Sequence, residues 1–120
     1  HTFAHAYEAS TDYSKKLNHG EAVILGIQTA LNFSLKKNLI KKNDHSSIIQ
    51  HISNCNLPSK ISSLFKVKDS KKIVTFMLKD KKNKSNKINL ILLKKIGSPL
   101  VNKEYNKKVL NEFLKAELQN

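Results

Sequence analysis

Apolar residues recur at helical spacing over most of this chain and become dense in one stretch near its last third. Residues 2–10 read as a short helix, residues 11–18 as a polar loop, and residues 20 to about 36 as a long helix whose first half is apolar on nearly every side. That half has to be buried. A third helix is predicted from Asp44, an N-cap type of residue, with Ile48, Ile49 and Ile52 turned inward before residues 54–58 stop it. Pro58 then opens a short helical turn through Ile61, Leu64 and Phe65. Asp69 or Ser70 can cap a helix whose stripe of Ile73, Val74, Phe76 and Met77 is core, and which runs out in a lysine-rich loop over residues 79–87.

Residues 88–93 are rich in β-formers and read as a strand closed by Gly97 and Pro99. One strand cannot stand alone. Its partner is either the stretch Leu100 and Val101 or a segment outside this chain. A last helix is predicted from about residue 103 to 118, with Val109, Leu110, Phe113 and Leu114 on one face. The pattern therefore predicts a mainly α domain with one short β segment, spanning residues 1–120. No internal repeat or glycine-rich phosphate loop interrupts it, and the three glycines, Gly20, Gly26 and Gly97, cannot build a dinucleotide-binding turn.

Chemistry is concentrated at the start. His1 and His5 are one helical turn apart and share a face if residues 2–10 are helical, while His19 stands where the second helix begins. Imidazole both binds transition metals and moves protons near neutral pH, so histidines converging from two helix ends point to a metal or acid-base site. A structural or surface histidine pair is the competing reading.

The segments His1-Thr2-Phe3-Ala4-His5-Ala6-Tyr7-Glu8 and His19-Gly20-Glu21-Ala22-Val23, followed far downstream by Met77-Leu78-Lys79-Asp80-Lys81-Lys82 and a strand ending in Ile96-Gly97, resemble the 3-dehydroquinate synthase family. The resemblance covers nearly the whole chain and corresponds to the family's helical C-terminal domain. It implies that the chain is part of a longer protein with a nucleotide-binding domain upstream, and that it is inactive alone. Ala4 departs from the family's usual glycine, adding a methyl where backbone and substrate approach closely.

What the resemblance implies for the site is specific. His1 and His19 are two of three ligands to a catalytic divalent metal, zinc or cobalt, the third being a glutamate upstream. His5 stands near the substrate phosphate and relays a proton, unless it is merely structural. Lys81 or Lys82 reaches the anionic substrate, against the plain reading of residues 79–87 as a solvated charge run. Glu8 and Glu21 either orient imidazoles or complement helix N-termini, the second being favoured. The family converts 3-deoxy-arabino-heptulosonate 7-phosphate to 3-dehydroquinate and phosphate in the shikimate pathway, using NAD held mainly by the upstream domain, and works as a cytoplasmic homodimer. Other sugar phosphate cyclases and the related metal-dependent polyol dehydrogenases are the neighbouring alternatives.

Charge adds a further alternative, a non-enzymatic basic helical module. The formal net charge is +13, but all 22 basic residues are lysine, and without arginine there is no bidentate reader of guanine, so a specific nucleic-acid partner is not expected. The single cysteine, Cys55, permits no intrachain disulfide and carries no motif around it, which favours a free, inert thiol in a reducing compartment. The apolar run over residues 22–27 is too short to cross a bilayer, so no membrane partner is expected. His45 and His51 match nothing and are expected at the surface.

Overall fold

The computed structural model describes residues 1–12, 16–58, 60–79 and 87–119. Among these residues there are five helices in chain order, α1 (Thr2–Ser10), α2 (His19–Lys36), α3 (Lys42–Asn54), α4 (Ser70–Leu78) and α5 (Lys107–Leu118), with two strands, β1 (Lys87–Lys95) and β2 (Ser98–Asn106), between α4 and α5. Short 3-10 turns at Ile61–Ser63 and Val67–Asp69 lead into α4. The mainly helical expectation holds, and the predicted β segment is one arm of an antiparallel hairpin.

The hairpin is longer than the pattern suggested. Strand β2 takes in residues 103–106, which were expected to begin the last helix, because Lys87 pairs with Asn106 and Leu90 with Lys103 across the sheet. Asn106 then ends the strand and starts the helix, its Oδ1 accepting the Val109 amide at 2.9 Å. At the tip, Gly97 has φ +79°, a left-handed value that glycine adopts without a Cβ penalty. Side chains of β1 alternate, so Ile88, Leu90 and Leu92 enter the core and Ile91 points out.

Helix α2 is the organising element. It packs against α1 on one side and β1 on another, and the Ser34 hydroxyl accepts the Leu93 amide at 3.2 Å, giving the strand edge a partner. Phe33, fully buried, meets Tyr105 of β2 and Phe113 of α5 edge-on, at ring separations of 4.8 and 4.9 Å. Helix α4 closes the core against α1 and α5 with Ile73, Val74 and Met77 of the predicted stripe buried and its fourth member, Phe76, partly buried against the cluster.

Helix α3 is different. It begins at Lys42, two residues ahead of Asp44, and of its three predicted inward isoleucines only Ile52 is buried, with Ile48 and Ile49 half-exposed. Its attachment is partly polar. His45, expected at the surface, is half-buried and donates through Nε2 to Asn32 Oδ1 at 2.8 Å, and Asn32 Nδ2 donates to Glu117 at 2.7 Å. Three helices are thereby bridged by one chain of hydrogen bonds. Burial holds the His45 pKa below its usual value, with Glu117 opposing.

The contact between α1 and α2 is close. A Cβ added at Gly26 would lie 3.0 Å from the Ala4 backbone nitrogen and 3.2 Å from the Ala4 methyl carbon. The methyl that departs from the family pattern is therefore accommodated against a glycine of α2. One turn further along α1, Tyr7 is fully buried, and its hydroxyl lies 2.7 Å from Thr29 Oγ1. Since Thr29 spends its own proton on the Leu25 carbonyl, Tyr7 is the donor. Burial raises the Tyr7 pKa well above its ordinary value.

Candidate functional site

Two helix starts build the site. His1 occupies the N-cap position of α1, its carbonyl accepting the His5 amide at 2.7 Å, so the two imidazoles stack one turn apart on the outward side of a helix whose other side carries Phe3, Ala4 and Tyr7 into the core. His19 is the first residue of α2. Its position is fixed by a capping box in which Asn18 Oδ1 accepts the Glu21 amide at 2.8 Å and Glu21 Oε1 accepts the Asn18 amide at 3.1 Å.

The three imidazoles converge. Ring centroids are separated by 5.3 Å for His1 and His5, 6.1 Å for His1 and His19, and 6.5 Å for His5 and His19. All three rings are exposed, and His1 and His5 line one end of a groove of about 920 Å³ whose other walls are Val23, Gly26 and Ile27 of α2 and residues of β1.

Glu8 and Glu21 turn out to have separate tasks. Glu21 complements the N-terminus of α2, as favoured from sequence, whereas Glu8 lies in the last turn of α1 and accepts a 2.8 Å hydrogen bond from His19 Nδ1. A carboxylate can only accept, so Nδ1 of His19 carries a proton, and in the neutral imidazole that arrangement leaves the lone pair on Nε2. Such a carboxylate partner is the usual device for orienting a metal-binding imidazole.

The donor set suits a borderline metal such as zinc or cobalt: two imidazole nitrogens, one held in the ligating tautomer. Two imidazoles on one tetrahedral zinc stand roughly 5 Å apart between centroids, so the observed 6.1 Å calls for a modest rotation of exposed side chains. Among the described residues, no group of three or more His, Cys, Asp or Glu side chains is arranged to hold a metal.

The remaining candidates divide plainly. Lys81 and Lys82, with Asp80 before them, lie outside the described residues. His45 and His51 are on α3, with His51 exposed and its Nε2 4.0 Å from the exposed Cys55 sulfur. Asn89 was not anticipated from sequence; it lies on β1 and lines the same groove as His1 and His5. Its position depends on strand register, which no local motif encodes. Among the described residues no helix is long and apolar enough to cross a membrane.

Comparison with known proteins bears on the whole arrangement. In sequence the chain is 52% identical to the 3-dehydroquinate synthase of Pelagibacter ubique (strain HTCC1062), and 38% identical to that of Zymomonas mobilis, each over 98% of this chain. The chain spans about a third of the length of these curated relatives. In fold it matches a crystal structure of 2-deoxy-scyllo-inosose synthase complexed with carbaglucose-6-phosphate, NAD+ and Co2+, with a TM-score of 0.71 and 24% identity, over 98% of this chain and 32% of that one. The profile of the 3-dehydroquinate synthase C-terminal family matches residues 1–83, which take in the histidine-bearing helices and Lys81 and Lys82, and the chain belongs to that family.

Proposed function

We propose that this chain supplies the metal- and substrate-binding helical domain of a 3-dehydroquinate synthase, the enzyme that forms 3-dehydroquinate and phosphate from 3-deoxy-arabino-heptulosonate 7-phosphate in the shikimate pathway. The observation that carries the reading is the convergence of His1, His5 and His19 from two helix starts, with Glu8 on His19, in a chain 52% identical to a named 3-dehydroquinate synthase. The intact protein is read as a cytoplasmic homodimer.

Each residue has a physical task. His1 and His19 offer ring nitrogens to a divalent metal, zinc by the donor set, and Glu8 holds the His19 ring in its ligating tautomer. His5, beside both rings, is read as the group that moves a proton at the departing phosphate. Lys81 or Lys82 holds the anionic substrate by charge. The apolar flank of the groove, with Ile27 and Ile91, sheds water and strengthens those electrostatic contacts. When bound, the metal polarises substrate oxygens and NAD, held by an upstream domain, supplies and recovers a hydride.

The structural match to 2-deoxy-scyllo-inosose synthase favours a second reading, a cyclase acting on another sugar phosphate, but that match is 24% identical against 52% for the named synthase. The test is a chimera in which this chain follows the upstream two-thirds of the Pelagibacter ubique enzyme. It is expected to release phosphate from the heptulosonate phosphate, dependent on NAD and metal, and not from a hexose 6-phosphate. His5→Ala should slow turnover by roughly 10²-fold or more with metal content unchanged, and His19→Ala should lose metal and activity together. Full activity in the His19→Ala chimera, or phosphate release by this chain alone, overturns the reading.

A further inference from the structure

Helix α2 lines two separate spaces. Val23, Gly26, Ile27 and Ala30 line the histidine groove, whereas Leu25, Gln28, Thr29 and Asn32, half a helical turn round, line a cavity of about 240 Å³ toward α3 and α5. That volume is below the roughly 300–1,000 Å³ of sites for drug-sized ligands, so an occupant has to be small. Two features make the cavity more than a packing gap. Gln28 is 4% exposed, and its Nε2 donates to the carbonyls of Ile24 and Pro58. Carbonyls only accept, so the amide orientation is fixed and Oε1 is left as an acceptor at the cavity wall. The second feature is charge. Glu117 of α5 and Lys60 line the same space, and among the described residues no ion pair joins them. Asn32 donates to Oε1 of Glu117, which leaves Oε2 for another donor.

We propose that this cavity is a binding site for a small aliphatic amino acid, separate from the histidine groove. The ligand's ammonium group meets Gln28 Oε1 and Glu117 Oε2, and its carboxylate meets the Lys60 ammonium group at the exposed rim. A branched side chain lies against Leu25, Ile49 and Ile61, the apolar walls. A zwitterion is selected because the walls carry one full charge of each sign, and charge-assisted hydrogen bonds to both are the strong ones. A phosphate or other simple anion is repelled by Glu117. Occupancy also has a mechanical consequence. Ile49, half-exposed on the loosely seated α3, gains an apolar partner, and Glu117 is already tied to α3 through Asn32 and His45. A ligand that binds only when α3 is seated holds that helix down.

L-Leucine is the probe, with 3-methylbutylamine and 4-methylpentanoate as versions lacking its carboxylate and its amine. Calorimetry and peptide-resolved hydrogen exchange are run on the chimera described above. Leucine should bind saturably, roughly tenfold or more tighter than either analogue, and should slow exchange of the α3 amides while leaving α1 unchanged. Lys60→Gln, at an exposed side chain, should weaken leucine and 4-methylpentanoate by roughly tenfold and spare the amine. Glu117→Gln, which keeps an acceptor for Asn32, should weaken leucine and the amine and spare the acid. Retained affinity for the spared analogue shows that each variant is folded. Equal affinity for the three probes overturns the proposal as mere apolar partition, and so does leucine binding that both variants retain, which places it elsewhere in the chimera. Unchanged α3 exchange in the leucine-bound protein overturns it as well, since the occupant touches Ile49. Absence of saturable binding up to the solubility limit of leucine assigns the cavity to water and ends the proposal.

Discussion

Replacing Gly26 with alanine sets two effects of opposite sign against each other. Alanine is the better helix former by about 1 kcal/mol in a helix interior. The added carbon, however, meets the Ala4 nitrogen at 3.0 Å and the Ala4 methyl at 3.2 Å, inside the roughly 3.5–4.0 Å at which such contacts become favourable. Neither atom can rotate away. Relief requires α1 to move as a body, and α1 is anchored by the buried Tyr7 hydroxyl on Thr29. Overpacking of this kind costs about 1–3 kcal/mol, so crowding outweighs propensity and a net loss of about 1 kcal/mol is expected, or roughly 4 °C in Tm for a domain of this size. Urea unfolding should show a lower midpoint at unchanged slope. Adding Ala4→Gly removes the methyl contact but leaves the nitrogen, so the double variant should lose less than the sum of the two single losses. A Gly26→Ala chain as stable as the parent, or a cycle without coupling, refutes the claim that α1 rests on that glycine.

Two further predictions concern α1. Glu8→Gln in the chimera should weaken zinc binding by roughly 10–100-fold with the fold intact, because the His19 ring loses its charged acceptor; calorimetry showing unchanged affinity would remove Glu8 from the site. Tyr7 has its folded pKa raised by burial, so its contribution is complete below the unfolded value of about 10 and is lost as pH rises beyond it, at up to about 1.4 kcal/mol per pH unit. Tyr7→Phe should cost about 1 kcal/mol at neutral pH and show a shallower loss of stability above pH 10 than the parent in denaturant titrations; identical slopes would contradict the burial of an un-ionised hydroxyl.

What was legible in the sequence was local. Helices α1 and α2 follow from apolar spacing, whereas the capping box of Asn18 and Glu21 that starts α2, though it acts within one turn, was not read from the pattern. The histidine convergence could be anticipated because His1, His5 and His19 sit at helix starts. Long-range pairing was less visible. Residues 103–106 carry no strong strand preference, and their extended form comes from β1 across the hairpin, which is tertiary context overriding propensity. The Glu8 to His19 bond joins residues from different helices across a loop, at no helical or strand period, so its acceptor looked like one more charge near a helix. Ile48 and Ile49 fit a helical stripe, yet α3 has little to pack them against beyond one face of α2.

That sparse seating of α3 gives the domain an unequal resistance to opening. Only Ile52 of its thirteen residues is buried, and the His45 to Asn32 to Glu117 chain is its polar fastening to the rest. Local unfolding free energy follows buried apolar contact, so the amides of α3 exchange through excursions that leave α1, α2 and the histidine cluster folded. Protonation of His45 acts on the same element, since a group whose folded pKa is lowered withdraws its support as pH falls below about 6.5. Acid therefore loosens α3 ahead of the core.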